Sequence, residues 1–177
     1  ADVLSLGGLL TPGITELTRQ GDDVMVSFAG RTEHVVLDDQ AKSQSIETIR
    51  FADGAAWDGA EIRRRLLVSS SGDDTISGFK TADLLDGGAG NDYLLGGDGD
   101  DTYVFKGGYG QDVIEDYNRY ITLGNSVEFG PELTTATIRL EQNGKDLLIS
   151  FADRDERLTI ISHFNTTYQM ARFVFAD

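Results

Sequence analysis

Five aspartates, Asp74, Asp83, Asp92, Asp101 and Asp112, recur at intervals of nine, nine, nine and eleven residues. Two residues before each stands Gly72, Thr81, Gly90, Gly99 or Gly110. Two residues after each stands a large apolar residue: Ile76, Leu85, Leu94, Tyr103 or Ile114. Carboxylates held at a fixed phase among glycine turns can converge with backbone carbonyls. Such an all-oxygen donor set suits a hard cation, and Ca²⁺ takes about six to eight oxygens. No His or Cys lies between Ser69 and Asp116, which argues against zinc or copper.

The elements that would position these carboxylates follow from the phrase G-G-x-G-x-D-x-U-x, where U is large and apolar. Five copies can be read: SSSGDDTIS (69–77), GFKTADLLD (78–86), GGAGNDYLL (87–95), GGDGDDTYV (96–104) and GGYGQDVIE (107–115). Phe79 and Thr81 replace glycines in the second copy, and Phe105 and Lys106 interrupt the step before the fifth. The first six residues of a phrase predict a turn, because glycine adopts the positive φ that tight turns need. The last three predict a short strand whose middle residue points inward. Two phrases make one coil. Stacked coils would bury Ile76, Leu85, Leu94, Tyr103 and Ile114 as a thin ladder, a core too small to hold alone.

Charge follows the same segment. Residues 69–116 carry eleven Asp or Glu against two Lys, net −9, of the −15 on the 177-residue chain, together with eleven of its 21 Gly. Composition alone would allow a disordered acidic linker, but such a linker has no reason to keep an apolar residue in phase. The negative charge makes nucleic acid or an anionic membrane a poor partner. There is no Cys and hence no disulfide framework. The start, ADVLSLGGLL, lacks the basic front of a secretory signal, and the chain reads as a piece of a larger protein.

The five phrases resemble the haemolysin-type, or RTX, calcium-binding nonapeptide repeat, which forms a calcium-bound parallel β-roll. The resemblance implies ions held between one turn and the equivalent turn a coil later. The earlier turn would give two carbonyls and its Asp, and so would the later one. Three sites are implied. The first takes Ser70, Gly72 and Asp74 with Gly87, Ala89 and Asp92. The second takes Phe79, Thr81 and Asp83 with Gly96, Asp98 and Asp101. The third takes Gly88, Gly90 and Asp92 with Gly107, Tyr109 and Asp112. About three ions are expected, within a range of two to four. The side chains of Asp73, Asp86, Asp98 and Asp100 fall off the ligand position and read as solvated acids.

The flanks repeat one another. LTRQGDDVMVSFAGRTEHVVL (17–37) aligns without gaps on LEQNGKDLLISFADRDERLTI (140–160), with eight of 21 positions identical. After one single-residue gap, RFAD (50–53) answers VFAD (174–177). Alternation predicts strands with Val24, Val26 and Phe28 on one face, matched by Leu147, Ile149 and Phe151. QGDD and NGKD predict the hairpin turns before them. WDGAEIRRRLL predicts a short helix over about 58–67, with Asp58 as N-cap, Glu61 as the reciprocal capping residue and Arg63, Arg64 and Arg65 near its C-terminus. These flanks resemble the haemolysin-type calcium-binding-related segments that border RTX repeats.

The expected fold is all-β: a flank with one short helix (1–68), a parallel β-roll (69–116), and a second flank capping the roll (117–177). No catalytic constellation appears. His34 and His163 stand at non-equivalent positions of the two flanks, outside any H-E-x-x-H, and there is no G-x-S-x-G or phosphate-binding loop. The reading is a non-enzymatic, calcium-dependent folding module of a secreted bacterial protein, unfolded at low intracellular calcium and monomeric. The resemblance implies export through a type I secretion apparatus. Two alternatives stand beside it: a module binding polysaccharide or a cell surface, as in an epimerase or adhesin, and the non-catalytic tail of a secreted lipase or protease.

Overall fold

The computed structural model describes residues 2–20, 23–38, 46–117, 124–165 and 170–177. It is strand-rich, with one α-helix among the described residues, and divides into two compact units, Ala1–Leu66 and Leu67–Asp177.

The first unit contains β1 (Asp2–Leu6), β2 (Thr15–Gln20), β3 (Asp23–Phe28), β4 (His34–Leu37), β5 (Ile46–Phe51), β6 (Ala56–Asp58) and α1 (Gly59–Leu66). Strands β2, β3 and β4 form an antiparallel meander. Strand β1 pairs parallel with β5, which pairs antiparallel with β6. Alternation decides which face is buried: Val24, Val26 and Phe28 turn inward, and Val26 and Phe28 pack with Ile49, Phe51, Trp57 and Ile62. The Asp58 carboxylate accepts the Glu61 amide at 2.9 Å, the expected N-cap bond. The Glu61 side chain does not return to the cap. It accepts from Arg64 and Arg65, each at 2.8 Å, while the Arg65 guanidinium lies 3.9 Å from the Trp57 ring centroid. Two of the three arginines are thus tied to their own helix rather than presented as a docking patch.

The second unit contains β7 (Thr75–Ser77), β8 (Leu84–Asp86), β9 (Tyr93–Leu95), β10 (Thr102–Phe105), β11 (Gln111–Glu115), β12 (Ser126–Phe129), β13 (Ile138–Asn143), β14 (Asp146–Phe151), β15 (Arg157–Ile160) and β16 (Arg172–Val174). Strands alternate between two sheets. One runs β7, β9, β11, β15 in parallel, and the other runs β8, β10, β12, β16 in parallel. This is a parallel β-roll. Ile76, Leu94, Ile114 and Ile160 stand in one register, and Leu85, Tyr103, Val127 and Phe173 in the other. The five phrase residues Ile76, Leu85, Leu94, Tyr103 and Ile114 are all buried.

The segment after residue 116 continues one sheet with β12 and β16 and the other with β15, and the antiparallel hairpin β13–β14 packs beside β15. The two flanks carry one topology. Thr15 faces Phe28 and Gln20 faces Asp23, just as Ile138 faces Phe151 and Asn143 faces Asp146. Residues 144–145 form the NGKD turn, with Gly144 at φ 63°, whereas residues 21–22 of QGDD lie outside the described residues. The likeness extends to β1 and β12, which the alignment did not reach: parallel β1–β5 corresponds to parallel β12–β16.

Coils stack close enough that glycine is obligatory at some turns. Gly90 has φ +123°, and a Cβ there would lie 2.6 Å from the Gly72 carbonyl carbon and oxygen of the coil before. The contact is with backbone, which cannot swing aside. Gly90→Ala should therefore destabilise the roll by about 3 kcal/mol or more, combining left-handed strain with a clash. Denaturant unfolding of the calcium-loaded protein checks this; a loss below about 1 kcal/mol contradicts it.

Candidate metal centre

The phrase aspartates form two ladders across the coils. The Asp74 amide donates to Asp92 Oδ1 at 2.8 Å, and the Asp92 amide donates to Asp112 Oδ1 at 3.0 Å. On the other side the Asp83 amide donates to Asp101 Oδ1 at 2.9 Å, and the Asp101 amide donates to Asn125 Oδ1 at 2.8 Å. Each carboxylate thereby fixes the turn one coil earlier through one oxygen. Asn125 occupies the next rung, a role that no nonapeptide signal marks.

The second oxygen separates the first coil from the rest. Asp74 Oδ2 accepts the Ser70 amide and Asp83 Oδ2 accepts the Phe79 amide, both at 2.6 Å. Asp92, Asp101 and Asp112 are 1%, 0% and 2% exposed, yet their Oδ2 atoms are buried without a hydrogen-bond partner. A buried carboxylate oxygen left unpaired costs free energy unless a proton or cation meets it. Burial raises the Asp92 carboxyl above its usual range and pushes Asp101 and Asp112 up to about 7, with neighbouring carboxylates adding repulsion.

Carbonyls converge on the same turns. A Cβ on Gly88 would lie 3.0 Å from the Ser70 oxygen and one on Gly90 2.6 Å from the Gly72 oxygen. One on Gly99 would lie 2.7 Å from the Thr81 oxygen, and Gly97 crowds the Phe79 oxygen in the same way. The carbonyls of Phe79 and Thr81, not their side chains, face the next coil, so the missing glycines do not interrupt the stack. Asp83 Oδ2 would lie 3.0 Å from a Cβ on Gly78, which the Gly96 carbonyl oxygen also crowds.

The fifth turn departs at its start. Phe105 lengthens β10 and joins the aromatic cluster of Phe129 and Phe151, while Lys106 reaches Asp86 at 3.0 Å. The two extra residues are thus absorbed, and Gly110 returns to register with its amide 2.9 Å from the Gly90 oxygen. Gly107 instead donates to Glu132, and a Cβ there would meet Glu132 and Arg154, while the Gly108 amide donates to Glu156 at 2.8 Å. The Tyr109 hydroxyl donates to Asp86 at 2.5 Å. Structure thus brings Asp92, Gly90 and Asp112 together, while Gly107 and Gly108 turn towards acidic side chains from later in the chain.

Acids read as solvated are engaged instead. Asp73 Oδ1 accepts the Asn91 amide at 2.8 Å across 18 residues, and Asp86 takes Lys106 and Tyr109. The carboxyl of Asp100 lies against Gly124. His163 is half-buried against Phe164 and Phe173 and accepts the Met170 amide at 3.3 Å, and burial lowers its pKa.

Among the described residues no group of three or more His, Cys, Asp or Glu converges as a metal site. The donor sets available are therefore carboxylates in small number with backbone carbonyls. Orphaned buried oxygens beside carbonyls fit a hard cation and leave nothing for a soft one.

Comparison with known families agrees with this geometry. Residues 68–103 match the RTX calcium-binding nonapeptide repeat, in four copies. That match covers the first four of the five phrases. Residues 23–61 match the haemolysin-type calcium binding protein related domain. No curated protein matches the chain significantly. Among solved structures, the extracellular lipase LipA from Serratia marcescens aligns at 19% identity with a TM-score of 0.41, covering 98% of this chain and 34% of that one. The chain spans about a third of that lipase.

Proposed function

We propose that the RTX roll is a calcium-dependent folding module of a secreted bacterial protein, without catalytic activity of its own. The observation that carries this reading is the trio of buried, unpartnered Oδ2 atoms on Asp92, Asp101 and Asp112. These are the later-turn aspartates of the three sites set out from the sequence. Ser70, Gly72 and Asp74 with Gly87, Ala89 and Asp92 would hold the first ion. Phe79, Thr81 and Asp83 with Gly96, Asp98 and Asp101 would hold the second. Gly88, Gly90 and Asp92 with Asp112 would hold the third, with Gly107 and Tyr109 the least supported of its donors. When bound, calcium supplies positive charge that offsets the stacked carboxylates and completes their coordination.

The chain supplies the rest. Asp Oδ1 atoms pin the amides of the preceding coil, and glycines let the coils approach. Without the cation, a thin ladder core must offset the repulsion of eleven acids against two lysines in residues 69–116. Binding to the folded state alone stabilises it by mass action. With a midpoint of about 10⁻⁴ to 10⁻³ M, such a roll stays loose in the low calcium of a cell and folds outside. A loose chain suits passage through a type I channel, and the C-terminal flank that continues the sheets closes one end of the stack.

Far-UV circular dichroism of chelator-treated protein, titrated with calcium and separately with magnesium, tests this. A cooperative gain of β signal with calcium and little with magnesium is expected. A folded spectrum in chelator that calcium leaves unchanged would sink the reading.

A further inference from the structure

The stack of turns that contains Asp83 and Asp101 does not end with the nonapeptides. Glu115 pairs with Leu95, so Asp116, the next residue, stands one coil above Gly96. Glycine opens the turns at Gly78, Gly87 and Gly96, whereas here the position carries a carboxylate. Its side chain reaches back over the coil below. Asp116 Oδ2 lies 3.0 Å, and Asp101 Oδ2 2.5 Å, from the point a Cβ on Gly96 would occupy, and the Tyr103 hydroxyl lies nearer still. Three oxygens thus converge against the Gly96 backbone, where no side chain would fit.

These side chains are polar and shut off from solvent. Asp101 and Asp116 are 0% and 1% exposed, and Tyr103 and Asn125 are buried beside them. The Tyr103 hydroxyl donates to Asp116 Oδ2 at 2.7 Å, and Asn125 Oδ1 is taken by the Asp101 amide. Asp101 Oδ2 has no hydrogen-bond partner, and Asp116 Oδ1 has none of good geometry, although the Asn125 side chain is close enough to favour the ionised Asp116 carboxylate. Two neighbouring buried carboxylates repel each other and have lost their water. They require a counter-charge or a shared proton.

We propose that Asp101 and Asp116 form a further calcium site beyond the nonapeptide repeats, in which the Asp116 side chain supplies a carboxylate in place of a turn carbonyl and the Tyr103 hydroxyl adds a neutral oxygen. The site rests on the reading of the roll as calcium-binding. It differs from the repeat sites in drawing a side chain from a residue that no phrase assigns a role. A divalent cation between the two carboxylates would offset both charges, where one proton offsets one of them. The Tyr103 hydroxyl, at a position the phrase reserves for an apolar residue, gains a purpose that packing does not require.

Counting calcium ions per chain by equilibrium dialysis near pH 7.5, with circular dichroism on each sample, tests the proposal. Asp116→Asn is expected to bind one ion fewer than the unaltered protein while keeping its calcium-loaded β spectrum. Equal counts with equal affinity would overturn this site alone and favour a shared proton. If the unaltered protein bound no calcium, the folding-module reading would fall, and this site with it. Should Asp116→Asn fail to fold, Tyr103→Phe decides, since it keeps the ring in the ladder. This variant should bind one calcium ion more weakly with the remaining ions unchanged, and an equal count at equal affinity overturns the proposal.

Discussion

Asp92→Ala should move the calcium midpoint of folding upward by about tenfold or more, the largest effect of any single aspartate in the roll. Asp92 is engaged three times. Its Oδ1 accepts the Asp74 amide, its own amide donates to Asp112, and its Oδ2 is buried over Gly87 without a partner. Alanine leaves the Asp74 amide without its acceptor, at about 1–3 kcal/mol, and withdraws a carboxylate from two of the proposed sites. Asp92→Asn separates the two effects, because its amide oxygen can still take the Asp74 N–H while the charge is gone. Calcium titrations followed by circular dichroism should place Asn between the native residue and Ala. Asp73→Ala, which loses a bond to Asn91 but no proposed ion, should shift the midpoint far less. If Asp92→Ala and Asp73→Ala shifted it equally, Asp92 would be structural only.

The second large effect concerns protons. In chelator, acidification from pH 8 to pH 5 should restore β structure rather than remove it. Burial raises Asp101 and Asp112 to about 7 and Asp116 to about 6, and raises Asp92 as well, from an ordinary value of 3.8. A folded-state pKa above the unfolded one means that folding takes up protons. The calcium-free fold is then favoured below about pH 4 to 5 and loses stability as pH rises through about 6 to 7. Each such carboxyl contributes a slope of up to about 1.4 kcal/mol per pH unit across that window. Calcium and protons compete for the same oxygens, so the calcium midpoint should fall as pH rises to about 7 and level off above it. Chelator-treated protein giving identical spectra at pH 5 and pH 8 would contradict this. So would a calcium midpoint indifferent to pH between 5 and 7.

How much of this was legible depended on whether a signal repeated locally. The ladder of Ile76, Leu85, Leu94, Tyr103 and Ile114 was readable because each residue stands two after a phrase aspartate. The meanders were readable because QGDD and NGKD precede the same alternating strand. Continuation of the roll through β12, β15 and β16 was not, since none of these strands carries the glycine phrase. Their pairing joins Thr102 to Ser126 and Gln111 to Arg157, at separations with no period to reveal them. Asn125 and Asp116 were missed for the same reason. Asp86 looked solvated because Lys106 and Tyr109 reach it from a turn shifted by two extra residues. Glu61 fitted a capping box by spacing, but two arginines on the next turn outcompeted a single backbone amide.

The two ends of the roll are chemically unlike, and this gives it a direction. At its start, Asp74 and Asp83 turn their second oxygen to amides of their own turns. At its finish, the antiparallel strand β14 lies against β15 and closes that edge to another parallel strand. Between them, Asp74 to Asp92 and Asp83 to Asp101 each span 18 residues, one turn of a spiral staircase with identical steps. Length is therefore a free variable: duplicating 18 residues lengthens the staircase by one turn and adds its own aspartates, and the landing at each end needs no redesign.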